Sequence, residues 1–292
     1  MKKLLKIVTA LVLSLGLLVS VCAFGACGDS SKTIKVCASD VPHAEVLNEC
    51  VKDILKKEGY TLEVTILDWT MQNDAVAKGD YDANYFQHVP YLNQYNGSVK
   101  LFASCKVHYE PLGIYYGKAE NGTPVANGLS FAICDDPSNA IRALQLLEAK
   151  GVFSKATEGD NYPISEDGES LTIGATATKW TSVSGVVVNL IAENLLVSSM
   201  GDNDFVCLPC NTAYTGKIDA SHRAAVEDDP AQVSGKANVI AARVEDYKNN
   251  ETYKAKIDVL TNAMLSKTVA DFFETKYLGA ITCNSLTQID LR

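Results

Sequence analysis

The chain has 292 residues, 47% of them hydrophobic and 21% charged, with a formal net charge of −9. That apolar fraction over that length supports one large or two medium folded domains and excludes a disordered chain. The acidic balance excludes a nucleic-acid partner, which would demand a basic face.

The N-terminus reads as a targeting segment. Lys2, Lys3 and Lys6 precede an apolar stretch from Ile7 to Phe24, which breaks at Gly25-Ala26-Cys27 and the polar run Gly28 to Lys32. A basic start, an apolar middle and small residues at the boundary mark a secretory signal. A cysteine directly after Gly-Ala marks a bacterial lipoprotein signal. Residues 1–26 are then expected to be removed, Cys27 to carry the lipid and 27–32 to form a tether on the extracytoplasmic face of the cell membrane. The competing reading is an uncleaved anchor, since about 18 apolar residues reach the lower limit for a bilayer span. Without the three lysines of this segment the net charge falls from −9 to −12. Seven cysteines follow it: Cys37, Cys50, Cys105, Cys134, Cys207, Cys210 and Cys283. Their number is odd and most sit in apolar runs, so they read as small buried hydrophobes rather than a disulfide framework.

Beyond the tether, strands and helices alternate. Thr33 to Ala38 predicts a strand. A helix from about Pro42 to Glu58 carries Leu47, Cys50, Val51, Ile54 and Leu55 at helical spacing and stops at Gly59. Tyr60 to Leu67 alternates as a strand, Gln72 to Lys78 forms a short helix, and Lys100 to Val107 and Leu112 to Tyr116 are strands. Ser130 to Cys134 is a strand leading through Asp135-Asp136-Pro137 into a helix from Asn139 to Lys150. Leu171 to Ala175 and Phe205 to Pro209 are strands on either side of a helical or mixed segment, Val183 to Met200. Asp219 to Lys236 is charged and loop-like, Asn238 to Val244 a strand, and Glu251 to Leu265 and Ser266 to Leu278 two helices, with Ala280 to Cys283 as a last short strand. The alternation predicts an α/β architecture. Composition shifts near 120–128 and 219–237 predict two crossings of one boundary, placing 33–122 with 237–292 in one lobe and 128–233 in the other. A cleft between two such lobes is a favoured place for a small ligand.

Five stretches carry candidate recognition groups. Gly79 to Tyr95 runs G-D-Y-D-A-N-Y-F-Q-H-V-P-Y-L-N-Q-Y, an aromatic strand end before a helix start at Pro90. Alone it reads as a core aromatic cluster before it reads as a pocket wall. Leu67-Asp68-Trp69 ends another strand with a tryptophan. His108 to Tyr116 is H-Y-E-P-L-G-I-Y-Y. Asp136 to Leu144 is D-P-S-N-A-I-R-A-L, where Asp136 or Ser138 can cap a helix and Arg142 lies one turn inside it. Helix N-terminal amides attract anions and a guanidinium grips a carboxylate with two parallel bonds, so this segment suits a free carboxylate; a surface ion pair with Asp135 or Asp136 is the plain alternative. Cys210-Asn211-Thr212-Ala213-Tyr214 and Ala237-Asn238-Val239-Ile240 complete the set.

With these segments together, the chain resembles the methionine-binding lipoproteins of bacterial ABC importers, the NlpA type, over essentially its whole mature length. K-G-D-Y-D-A-N-Y-F-Q-H-V-P-Y-L at Lys78 to Leu92 is close to the family's K-G-D followed by D-A-N-x-F-Q-H-x-P-Y-L. D-P-S-N-A-I-R-A-L is similar to D-P-T-N-x-x-R-A-L, and Ser266 to Ala280 to the C-terminal K-Y-x-G-A signature. Trp69 stands where the family usually has tyrosine. The resemblance implies a two-lobed periplasmic-binding-protein-like fold, type II-like, with the ligand cleft between lobes. It implies an amino-acid ligand, L-methionine foremost, and delivery to an ABC permease by a non-enzymatic protein without a cofactor. In that family's terms Arg142 holds the ligand carboxylate, Asn211 and Asn238 reach its polar backbone groups, and Trp69, Phe86, His88 and Tyr91 line the side-chain pocket.

Rival readings are a receptor for another amino acid or a methionine-containing dipeptide, and a thiol redox protein using Cys207 and Cys210. The redox motif demands its first cysteine at a helix N-terminus, whereas Cys207 reads as a strand residue. A metal-binding receptor finds no support in spacing: His43, His88, His108 and His222 are the only histidines, and no two stand at ligand spacing. No metal site is expected.

Overall fold

The computed structural model describes residues 30–126, 128–152, 161–162, 171–172, 179–181, 186–228, 235–277 and 287–288. The signal segment, Cys27 and the expected last strand at Ala280 to Cys283 lie outside the described residues. The strands are β1 (Thr33–Ala38), β2 (Thr61–Ile66), β3 (Ala83–His88), β4 (Leu101–His108), β5 (Leu112–Tyr116), β6 (Ser130–Cys134), β7 (Asn161–Tyr162), β8 (Leu171–Thr172), β9 (Lys179–Thr181), β10 (Val187–Ile191), β11 (Phe205–Pro209), β12 (Arg223–Val226), β13 (Asn238–Arg243) and β14 (Thr287–Gln288). The helices used below are α1 (Lys52–Lys57), α2 (Trp69–Lys78), α3 (Val89–Gln94), α4 (Pro137–Ala149), α5 (Glu193–Leu196), α6 (Cys210–Thr215), α7 (Val244–Asn249), α8 (Glu251–Met264) and α9 (Lys267–Lys276).

Two six-stranded sheets result, one per lobe. The first runs β14-β4-β13-β3-β1-β2 and the second β12-β5-β11-β6-β10-β9, with β7 and β8 as a separate pair. β1 pairs in parallel with both β2 and β3, so each connection must return over a face of the sheet, and helices make those returns. Both faces of these strands are therefore covered, which is why β3 is buried along nearly all its length instead of alternating. The segment after β1 turns widely through Asp40–Ala44 and Leu47–Val51 before α1, laying Ala44, Leu47, Cys50, Val51 and Leu55 on the sheet. Asp68 caps α2 by accepting from Thr70 N at 2.9 Å, and Gly79 ends it at φ +86°, a conformation that strains any residue with a Cβ. Asn250 and Ser266 cap α8 and α9 through their side chains, and Tyr253, Ile257, Leu260, Met264, Val269 and Phe273 close the first core.

In the second lobe Phe131, Ile133, Leu144, Leu147, Val188, Phe205 and Cys207 pack on one face of the sheet. Tyr115, Ala132, Leu196, Val206, Leu208 and Ala213 pack on the other.

Four expectations change. β5 pairs with β11 and β12, so it belongs to the second sheet and the chain crosses at Tyr109–Pro111, not near 120–128. Only three residues separate β4 from β5, and both are apolar, so the composition shift comes one strand too late. The return lies between β12 and β13. β12 itself occupies part of the stretch read as a charged loop, and α7 was not foreseen. Val187–Ile191 is a strand with α5 after it, resolving the mixed segment.

Phe131 and Phe205 are fully buried and stacked, with ring centroids 5.3 Å apart and planes 12° from parallel. Phe131→Ala is expected to cost about 3–5 kcal/mol of stability, read as a lower urea midpoint with an unchanged denaturant slope.

Candidate ligand-binding cleft

The cleft lies where the strand ends of both sheets meet. In the first sheet Asn238, at the start of β13, pairs across the ladder with His88 at the end of β3 and His108 at the end of β4. In the second, β6 leads into α4, β10 into α5 and β11 into α6, which brings Asn139, Arg142, Glu193 and Asn211 to the facing edge. Ligands of open α/β sheets bind outside the carboxyl ends of the parallel strands, where loops and helix starts converge. The cleft has a volume of about 140 Å³, sized for one small molecule.

All seven residues singled out from the sequence, Trp69, Phe86, His88, Tyr91, Arg142, Asn211 and Asn238, line this one cleft. Trp69, Phe86 and His88 surround Tyr91, with ring centroids 5.3, 5.7 and 6.5 Å from it, all edge-to-face. This gives the first lobe an aromatic wall. His88 has both ring nitrogens engaged: Nδ1 accepts from Tyr91 N at 3.1 Å, capping α3, and Nε2 meets Asn139 Oδ1 of the other lobe at 2.9 Å. It is therefore a bridge between lobes as well as part of the wall. Burial holds its pKa down at about 4, so it is neutral at physiological pH.

The polar end is built around Arg142. Asp136 caps α4 by accepting from Asn139 N at 2.9 Å, which fixes the helix start and the turn that carries Arg142. The guanidinium is 4% exposed. Its Nε donates to both Glu227 oxygens at 2.9 Å, and Nη2 donates to Glu227 and to the Glu110 carbonyl. Nη1 lies outside the Glu227 and Glu110 bonds, with the Tyr109 side chain beside the guanidinium. Lys236 Nζ and Tyr109 Oη also donate to Glu227, at 2.8 and 2.6 Å, and Leu112 N at 2.9 Å. Burial pushes the Glu227 carboxyl up, but Arg142 and Lys236 outweigh it and hold the pKa at about 2. The guanidinium nitrogen outside these bonds is where an anion can meet Arg142.

Asn211 Oδ1 is buried without a hydrogen-bond partner, an acceptor that a ligand's N–H would satisfy. Two carboxyl groups also line the cleft and were not picked out from the sequence. Burial raises the pKa of Glu193 to about 7 and raises that of Glu110 as well. His43, Gln87, Ser39, Asn139 and Pro209 complete the lining. Glu110 and Asn139 sat inside the quoted motifs without a role. His43 had the signal of following a strand end and preceding a helix.

Two rival expectations can be set against the geometry. Cys207 faces one side of the second sheet, packed in its core, with its thiol pushed up to about 12 by burial. Cys210 faces the other side, where Tyr115 Oη and Arg223 Nη1 donate to its sulfur at 3.4 and 3.5 Å. The two thiols do not form a redox pair. No two histidines stand at ligand spacing in the sequence, but the fold brings His43 and His108 together with Glu110. Their separation in the sequence concealed it, since three different segments supply them.

The model of the NlpA lipoprotein family matches residues 34–283. The chain belongs to the NlpA lipoprotein family. Among its relatives, the methionine-binding lipoprotein MetQ of Bacillus subtilis (strain 168) is 32% identical over 280 residues, covering 91% of this chain and 95% of that one. Lipoprotein Tp32 from Treponema pallidum shares the fold with a TM-score of 0.71 at 27% identity, over 87% of this chain and 99% of that one. A nutrient-binding protein from Burkholderia cenocepacia, solved bound to methionine, has a TM-score of 0.70 at 25% identity, over 86% and 99% of the two chains. The two-lobed fold of these NlpA-type substrate-binding proteins is the fold of this chain. Among the described residues no helix is long and apolar enough to cross a membrane.

Glu227 gives a pH-dependent prediction. Its folded pKa, about 2, lies below its ordinary 4.5, so its contribution is present above pH 4.5 and lost as pH falls through 2. Glu227→Gln leaves Arg142 and Lys236 buried against a neutral amide and is expected to destabilise by on the order of 3–5 kcal/mol at neutral pH. Urea unfolding across the acid range is expected to show this gap closing between pH 4.5 and 2.

Proposed function

We propose that this protein captures methionine or a closely related amino acid outside the cell and presents it to an ABC permease, anchored to the membrane through a lipid on Cys27. The observation that carries this reading is the cleft's division into a guanidinium with one free edge and a wall of aromatic rings. A free α-carboxylate matches Arg142. An α-ammonium matches the unpaired Asn211 Oδ1, with Asn238, Glu110 and Glu193 as neighbouring acceptors. A thioether is soft and apolar, and sulfur contacts with Trp69, Phe86 and Tyr91 favour it modestly. Family membership, the methionine-binding relative and the methionine-bound neighbour support the choice of ligand.

The protein acts by binding rather than catalysis. The guanidinium and the unpaired Asn211 Oδ1 match the two charged ends of a zwitterion, and transfer to the permease needs only opening and closing. Tyr109–Pro111 and the return stretch that carries Glu227 and Lys236 are the two hinge segments in this reading. His88–Asn139, and the ring contact of Tyr214 with Tyr277 at 5.6 Å, are the contacts across the cleft that opening must break. The cleft volume favours a single amino acid over a dipeptide.

Arg142→Ala removes the carboxylate partner and leaves Glu227 with Lys236. Calorimetry is expected to show a loss of about 100-fold or more in L-methionine affinity, the effect of removing a charge-assisted bond worth about 3 kcal/mol. Ordinary affinity in that variant would remove Arg142 from the role.

A further inference from the structure

The floor of the cleft carries an arrangement that a zwitterion reaches only through Glu110. His43 comes from the turn after β1, His108 from the end of β4 and Glu110 from the first crossing, and all three are buried. One donor atom from each lies within 4.8 Å of the other two. His108 Nε2 is 2.9 Å from Glu110 Oε1, and His43 Nε2 is 3.7 Å from the same oxygen. Donors at about 2.0–2.1 Å from a tetrahedral zinc-sized ion stand roughly 3.3 Å apart, a value these two separations bracket.

The surroundings orient the three groups toward one another through Tyr85 and Asn238. Tyr85 Oη holds His108 Nδ1 at 2.5 Å, which leaves Nε2 for the cluster, the usual outer partnership of a ligating histidine. Asn238 Oδ1 lies 3.2 Å from His43 Nε2, so an ion at Nε2 displaces that hydrogen bond and moves the ring proton to Nδ1, which is buried and has no hydrogen-bond partner. The Glu110 carboxylate meets two imidazoles but pairs with no Lys or Arg side chain among the described residues. His43 and Glu110 line the cleft, so an ion arriving through it reaches the cluster directly.

We propose that His43, His108 and Glu110 form a site for a first-row divalent cation of the zinc type, with its fourth position open to the cleft. Two imidazoles and one carboxylate select zinc, cobalt, nickel or copper over calcium and magnesium, which seek oxygen alone. The site does not depend on which amino acid the cleft takes, and the metal alone is the probe.

Titration calorimetry of the ligand-free protein with ZnCl2 is expected to show one bound equivalent, and with CaCl2 none. Glu110→Gln keeps the side chain's shape and removes its charge, and is expected to weaken zinc by more than the roughly 10–100-fold that loss of an outer partner costs. The wild-type protein with Co2+ is expected to show the intense visible absorption of a tetrahedral ion, a readout that needs no variant. Absence of zinc binding by the wild type, zinc affinity unchanged in a folded Glu110→Gln protein, or a weak octahedral cobalt spectrum would each overturn the proposal and leave the amino-acid reading untouched.

Discussion

The buried carboxylate of Glu227 is the constraint on which the rest depends. It sits just past β12, where the chain leaves the second lobe, and collects Arg142 from α4, Lys236 from the return segment, Tyr109 from the outward crossing and the amide of Leu112. The outward crossing, the start of α4 and the return segment are thus fixed by one acid. A buried ion group of this kind is a weak source of net stability, because desolvation offsets most of the attraction. Its value is orientation: Arg142 is held along its Nε–Nη2 edge, so its remaining nitrogen is presented in one direction. Asp136 does the complementary work on the backbone, capping the helix that carries Arg142.

From that point the site follows from topology. Parallel strands must return through helices, so strand ends and helix starts gather at one edge of each sheet. Two sheets joined by two crossings bring those edges face to face. The first lobe supplies rings from the end of β3 and the starts of α2 and α3; the second supplies polar groups from the starts of α4, α5 and α6. The aromatic wall thus comes from the first lobe and Arg142, Glu193 and Asn211 from the second, with Asn238 added from the first, and closing the lobes is what assembles the whole site.

Much of this was legible in the sequence, for identifiable reasons. The K-G-D-Y-D-A-N-Y-F-Q-H-V-P-Y-L stretch carries a helix stop, a buried strand and a helix start within fifteen residues. Each of those signals is local, and Phe86, His88 and Tyr91 from it line the cleft. The helix cap at Asp136 is local too. Tyr85 of the same stretch is fully buried in the first core. What escaped is non-local. Glu227 lay in a charged stretch that offered no pattern, although it is the partner of Arg142. His43, His108 and Glu110 meet only because β1 and β4 end at the same edge. The crossing at Tyr109–Pro111 was misplaced because two apolar strands flank it, and Pro111, which lacks an N–H for the ladder, was its only mark.

The central claim is that this cleft holds a free amino acid whose carboxylate is met by Arg142 and whose side chain lies on the Trp69, Phe86 and Tyr91 rings. Native mass spectrometry of the protein as purified, before any ligand is added, tests it most directly. The account predicts a single bound small molecule with the mass of methionine, released when the protein is unfolded and absent from Arg142→Ala. A bound molecule lacking a carboxylate, or the same mass retained by Arg142→Ala, would contradict it.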